Sequence, residues 1–138
     1  MSSTKGIGTT LSLFLEVGRL IRRRMEGSMP LPFAQCEALY LVDIKKEPSM
    51  HELAKYFKIT APSATSLVDE LVKGGYMKRK ADPQDRRQVR LTLSAKGKAT
   101  VAKVIARRKA VLGEVLKVLS ADDKNDLNHI LQKMLEHA

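Results

Sequence analysis

The chain has 138 residues, enough for one domain of ordinary size with its own core, and Lys and Arg outnumber Asp and Glu by 25 to 15. A formal charge of +10 favours a polyanionic partner such as DNA or an anionic surface. Without Trp and with few aromatics, the core must be built from Leu, Val, Ile and Ala; the single cysteine, Cys36, excludes an intramolecular disulfide. The apolar runs fall far short of the roughly 20 residues that cross a bilayer, and no secretory leader opens the chain, so no membrane partner and a reducing cytoplasm are expected.

Met1 to Gly8 is polar and carries glycine, and it reads as a loose arm. Leu11, Phe14, Leu15, Gly18, Ile21 and Met25 then recur at helical spacing, with Leu13, Val17 and Leu20 adding a second apolar row. A surface helix of a monomer needs one apolar stripe, so the second row predicts a partner such as another subunit. Arg22-Arg23-Arg24 and the run Gly27-Ser28-Met29-Pro30-Leu31-Pro32 end this helix.

A second helix is predicted from Phe33 to Lys45, with Phe33, Cys36, Leu39, Tyr40 and Ile44 on one face. Ser49 and Glu52 then have the spacing of a capping box, opening a short helix with Leu53, Ala54, Tyr56 and Phe57. Thr60 caps the next helix, Pro62 sits in its first turn, and Ala64, Leu67, Val68, Leu71 and Val72 mark its buried face. Two short helices meeting through a turn at Lys58-Ile59 have helix-turn-helix spacing. The second leaves Ala61, Ser63, Thr65 and Ser66 outside, short side chains that let a backbone approach a groove and hydroxyls that can bond to bases or phosphates.

Gly74-Gly75 stops that helix. Tyr76 to Lys80 reads as a strand, and Val89, Leu91 and Leu93 alternate with Arg90 and Thr92 as its half-buried partner. The loop between them, Asp82-Pro83-Gln84-Asp85-Arg86-Arg87, projects two adjacent arginines from its tip, with Asp85 near enough to orient one guanidinium. From Lys73 to Lys98 the basic residues are Lys73, Lys78, Arg79, Lys80, Arg86, Arg87, Arg90, Lys96 and Lys98, against Asp82 and Asp85 as the only acids. Such a hairpin beside the helix pair is a wing, a cationic finger against a DNA backbone.

Ser94 caps a long helix predicted to run to about Leu119, with Val101, Val104, Ile105, Val111, Leu112, Val115, Leu116 and Leu119 as its apolar positions. At about 1.5 Å per residue it would extend nearly 40 Å, more than a winged-helix module needs. Ser120 with Asp123 caps a last helix carrying Leu127, Ile130, Leu131, Met134 and Leu135. The predicted fold is mainly α with a small β-hairpin wing. An N-terminal arm and dimerisation helix occupy residues 1–32, a winged helix-turn-helix residues 33–97, and C-terminal dimerisation helices residues 98–138. Apolar surface at both chain ends makes a homodimer the simplest assembly.

No constellation for catalysis is present. His51, His129 and His137 are widely separated, Cys36 lacks zinc-ligand spacing, and no phosphate loop, serine elbow or His-Glu zinc motif occurs, so neither an enzyme nor a metal or other cofactor is expected. Three functions compete: a DNA-binding regulator, a winged-helix module docking a protein partner, and a regulator in which Cys36 is a redox trigger. Cys36 shares a stripe with Phe33 and Tyr40 and has Glu37 rather than a cation beside it, which favours a small buried hydrophobe over a sensor.

The segment Ile59-Thr60-Ala61-Pro62-Ser63-Ala64-Thr65-Ser66-Leu67-Val68-Asp69-Glu70-Leu71 through Gly75, then Arg79, then Asp82 to Arg87, then Leu93-Ser94-Ala95-Lys96-Gly97, resembles the multiple antibiotic resistance regulator (MarR) family. The likeness follows helix order over nearly the whole chain and is strongest over residues 49 to 97. It implies a winged-helix transcription factor, dimeric through its first and last two helices, usually a repressor released by a small-molecule effector or by oxidation. By that pattern Ser63, Thr65 and Ser66 lie on the recognition helix and Asp85, Arg86 and Arg87 at the wing; Thr60 and Ala61 at the helix start and Arg79 and Arg90 on the strands complete the surface expected to meet double-stranded DNA. Ser66 stands where many members carry arginine, which shifts expected readout toward the wing and DNA shape.

Overall fold

A computed structural model describes residues 5–138. Helices α1 (Ile7–Met25), α2 (Phe33–Lys45), α3 (Met50–Phe57) and α4 (Ala61–Lys73) precede the strands β1 (Met77–Ala81) and β2 (Val89–Leu93), and α5 (Ala95–Leu116) and α6 (Ala121–Glu136) complete the chain. Two compact units result. One contains Met29–Ala106; the other joins the residues up to Ser28 to Arg107–Ala138, so α5 contributes to both. From sequence alone the breaks are expected after residues 32 and 97, on either side of the wing module.

The 29–106 unit has a core of Ala38, Leu39, Leu41 and Val42 from α2, Leu53 from α3, Ala64, Val68 and Leu71 from α4, Met77, Leu91, and Val101 from α5. The predicted apolar stripe of α2 needs correction. Phe33 and Ile44 are exposed, whereas Ala38, Leu41 and Val42 are buried. The helix is apolar around most of its girth because neighbours cover it on more than one side, so its core-facing residues do not follow one stripe.

Side-chain caps fix where the short helices start. Ser49 accepts from the Glu52 amide at 3.0 Å, and Thr60 from the Ser63 amide at 3.2 Å. Only half of the expected Ser49–Glu52 box forms, because the Glu52 carboxylate is taken by Arg90. Lys58, in the left-handed region at φ 54°, makes the tight turn that lets α4 leave α3 at once. Strands β1 and β2 pair antiparallel, Met77 opposite Leu93 and Ala81 opposite Val89, so β1 starts one residue later than predicted. The α2–α3 loop adds a third edge through an isolated bridge from Ser49 to Arg90, with the Leu91 amide donating to Pro48 O at 2.9 Å.

The second unit carries the surplus of apolar surface that the sequence announced. No residue of α1 or α6 is buried. Helix α1 already includes Ile7 and Gly8, which the sequence reading left in a loose arm, while residues 1–4 of that arm lie outside the described residues. Helix α5 ends at Leu116, nearer 33 Å than 40 Å at about 1.5 Å per residue, because the Ser120–Asp123 capping box starts α6 a few residues later and the chain must turn first.

Candidate nucleic-acid interface

Helix α4 presents two faces of different chemistry. Ala64, Val68 and Leu71 are buried at its back, while Ala61, Ser63, Thr65, Ser66 and Asp69 are exposed at its front. No long side chain occupies the first two turns of that front, so a helix of this kind can approach base edges closely. Two of the hydroxyl protons are already engaged. Thr60 donates to Ser63 Oγ at 2.9 Å and Thr65 to the Ala61 carbonyl at 3.0 Å, so toward a groove both threonines present acceptor lone pairs and methyl groups.

The loop between the strands is built from two aspartate turns. Asp82 Oδ1 accepts from the Gln84 amide at 2.9 Å, and Asp85 Oδ1 accepts from the Arg87 amide at 3.0 Å. Such turns let a short side chain replace a backbone partner, which is why Asp recurs at these positions. The tip then points Arg86 and Arg87 outward. Arg87 is 92% exposed and is steadied by Asp85 through a 3.4 Å contact from Nε, weak enough for DNA to replace. Arg86 and Lys78 are exposed and form no ion pair among the described residues.

Strand alternation sorts the other cations of the wing. Arg79 forms a salt bridge with Asp69 on α4, and Lys80 bonds Glu47 at 3.1 Å. Arg90 turns to the α2–α3 side and meets Asp82 at 3.1 Å and Glu52 at 3.0 Å. Arg79 and Arg90, expected at the DNA surface, are therefore engaged by protein carboxylates. Sequence spacing gave no sign of this, since the acids at positions 47, 52 and 69 lie far from their partners along the chain. The Asp82 carboxyl is held below the ordinary carboxylate value by the Gln84 amide and, against the opposing effect of burial, by Arg90; Arg90 in turn is held more firmly protonated by Asp82 and then Glu52.

The root of the wing is clamped to the start of α5. Ser94 Oγ donates to Gly75 O at 2.5 Å and accepts from the Gly97 amide, its own amide donates to Tyr76 O at 3.1 Å, and Lys96 Nζ donates to Gly74 O at 2.8 Å. The Lys96 ammonium also lies 4.4 Å from the Tyr76 ring centre, a cation–π distance. Gly97 fits only as glycine, since a Cβ there would stand 2.0 Å from Tyr76 O. The Ser94 cap is legible from local spacing; the clamp is not, because Gly74, Gly75 and Tyr76 lie about 20 residues from their partners. Cys36, the redox candidate, is 1% exposed, and its thiol donates to Leu31 O at 3.3 Å.

Residues 29–88 match the family model described as MarR family. The chain is 26% identical over 112 residues to the uncharacterized HTH-type transcriptional regulator YkoM of Bacillus subtilis, covering 81% of this chain and 71% of that one. Its fold is similar to a MarR family protein from Bacillus stearothermophilus, with TM-score 0.83 and 22% identity over 99% of this chain and 96% of the other. A mutant MarR from E. coli, in complex with operator DNA, superposes with TM-score 0.75 and 24% identity over 96% of this chain and 97% of that one. With the helix pair, hairpin wing and flanking helices in the same order, the chain has the winged helix-turn-helix fold of these MarR structures, and its residues 29–88 are similar to the MarR family.

Proposed function

We propose that this protein is a homodimeric, sequence-specific regulator that binds a pseudo-palindromic operator in the cytoplasm as a repressor, and that a small-molecule effector releases it. The observation that carries the reading is the pairing, within one compact unit, of a helix front made of Ala61, Ser63, Thr65 and Ser66 with a wing tip that holds Arg86 and Arg87 in solvent. Thr60 and that helix front are assigned to the major groove, and Arg86 and Arg87, oriented by Asp85, to the flanking backbone or minor groove. The E. coli relative crystallised on operator DNA supports the same use of the fold. Dimerisation is supported by the apolar surface left open on the terminal helices, where Leu11, Phe14, Ile130 and Met134 are each at least half exposed.

Burial of Cys36 supports a packing role and weighs against the redox reading. The test is equilibrium binding of the full chain to selected duplexes over a salt series. The reading expects a steep loss of affinity with salt and, for Arg87→Ala, a loss of about 1–3 kcal/mol with the fold intact. Salt-independent binding, or unchanged affinity in both Arg86→Ala and Arg87→Ala, refutes it.

A further inference from the structure

Four elements meet at one guanidinium. Arg90 Nε donates to Asp82 Oδ2 at 3.1 Å, and its Nη1 donates to Glu52 Oε1 at 3.0 Å and lies 3.4 Å from the carbonyl oxygen of Glu47. Asp82 sits where β1 ends and the wing loop begins, and its other oxygen holds the Gln84 amide that starts the loop. Glu52 belongs to the first turn of α3, and Glu47 to the loop that leads into it. A continuous chain of charge-assisted bonds thus runs from the wing loop, through Asp82 and Arg90, to the amino end of the helix-turn-helix. Arg90 is only 30% exposed and Asp82 10%, so water competes with these bonds less than at the tip.

The loop that receives Arg90 is itself constrained. Lys46 and Glu47 both have positive φ, 52° and 49°, which side-chain-bearing residues adopt at a cost unless their surroundings hold them. Apart from the capping bond of the Lys46 amide to Val42 O, its anchors lie on the strands: Glu47 on Lys80, Pro48 O on the Leu91 amide, and Glu47 O on Arg90. We propose that Arg90, through Asp82 and Glu52, is the positioning residue that sets the direction of the wing against the helix-turn-helix, and so controls operator affinity without touching DNA. This rests on the DNA-binding reading above for its consequence and on the hydrogen-bond geometry alone for its cause. A lysine cannot replace Arg90, because one ammonium lacks the fork that reaches two carboxylates and a carbonyl at once.

Electrostatics and positioning predict opposite signs for one substitution. Glu52→Gln removes a negative charge from a DNA-binding unit, which by charge alone strengthens binding; if Arg90 positions the wing, it weakens binding, by roughly five- to tenfold. Arg90→Lys keeps the charge and is expected to lose a similar factor, and adding Glu52→Gln to it should cost little more, since both act on one bond network. The melting temperature of each variant shows that it is folded. If Arg90→Lys fails to fold, Glu52→Gln, which alters an exposed carboxylate, still carries the test. Amide exchange in the free protein gives a readout without DNA, with faster exchange expected at Gln84 and Gln88 in both variants. Binding by Glu52→Gln equal to or tighter than wild type, or unchanged exchange at Gln84 and Gln88, overturns the proposal. A wild type that binds duplex without salt dependence refutes the DNA reading instead and leaves the exchange result to judge the clamp.

Discussion

Replacing Gly97 by alanine reverses the usual sign of a glycine-to-alanine change in a helix. In an open helical position alanine stabilises by about 1 kcal/mol. At Gly97 the added carbon would stand 2.0 Å from Tyr76 O and 3.0 Å from the Tyr76 carbonyl carbon, and the obstacle is backbone rather than a side chain that can swing aside. Bringing the oxygen to a tolerable distance of about 3 Å requires roughly 1 Å of displacement, a strain in the range of about 1–3 kcal/mol for an overfilled core. That displacement also breaks the Ser94 amide bond to Tyr76 O, now 3.1 Å, which contributes about 1 kcal/mol. Offsetting the helical gain against these leaves a net loss of about 1–3 kcal/mol, or a fall in Tm of roughly 4–12 °C at about 4 °C per kcal/mol for a chain this long. Thermal unfolding followed by circular dichroism measures it, at one fixed protein concentration because assembly makes Tm concentration-dependent. A Gly97→Ala protein that melts at or above the wild-type temperature refutes the argument that the wing root is locked against α5.

Other perturbations separate the remaining claims. The Asp82 carboxyl has its pKa lowered from 3.8, so its hold on the wing is complete above that pH and fades as the pH falls through the lower folded value. The Gln84 amide resonance should therefore stay constant down to pH 3.8 and shift below it in the wild type, and show no such step in Asp82→Asn; a step above pH 3.8 contradicts the assignment. Deleting residues 120–138 removes the exposed Ile130, Leu131, Met134 and Leu135 surface, and light scattering should then find monomer or aggregate rather than a folded dimer. Cys36→Ser should cost about 1 kcal/mol for a hydroxyl in a buried site, with peroxide leaving DNA binding of the wild type intact. Release of the wild type by peroxide, with the serine variant spared, would establish the redox alternative instead.

Much of this architecture is legible in the sequence because local chemistry decides it. Thr60 and Pro62 start α4, Ser120 and Asp123 start α6, and Gly74-Gly75 separates helix from hairpin; each signal involves residues within a few positions of one another. Helix α2 matches its predicted range of Phe33–Lys45, yet its buried set differs from the predicted stripe. Periodicity identifies one apolar stripe, whereas a helix enclosed by several neighbours buries residues such as Ala38 and Leu41 that no single stripe includes. The half-formed box at Ser49 fails for a related reason. Glu52 has the right spacing to reach back to Ser49, but Arg90, 38 residues later, competes for the same carboxylate and binds it as a charged donor.

Charge in this protein is informative only after it has been sorted by partner. The sequence shows a basic stretch from Lys73 to Lys98 and treats its members alike, but period-two alternation along the strands sends them to different destinations. Arg79 joins the wing to α4 through Asp69, Arg90 joins it to α3 through Glu52, and Lys96 joins its root to α5. Together with Lys80 on Glu47 these cations fix the hairpin, and on the hairpin itself Lys78, Arg86 and Arg87 are left open to a partner. Fixing a finger before contact reduces the ordering entropy paid on binding, so under the proposed function these protein-bound cations are expected to raise affinity for DNA that they do not touch. The direction of the wing and the charge at its tip are thus set by different residues, which is why substitutions at Glu52 and at Arg87 should weaken binding with different dependences on salt.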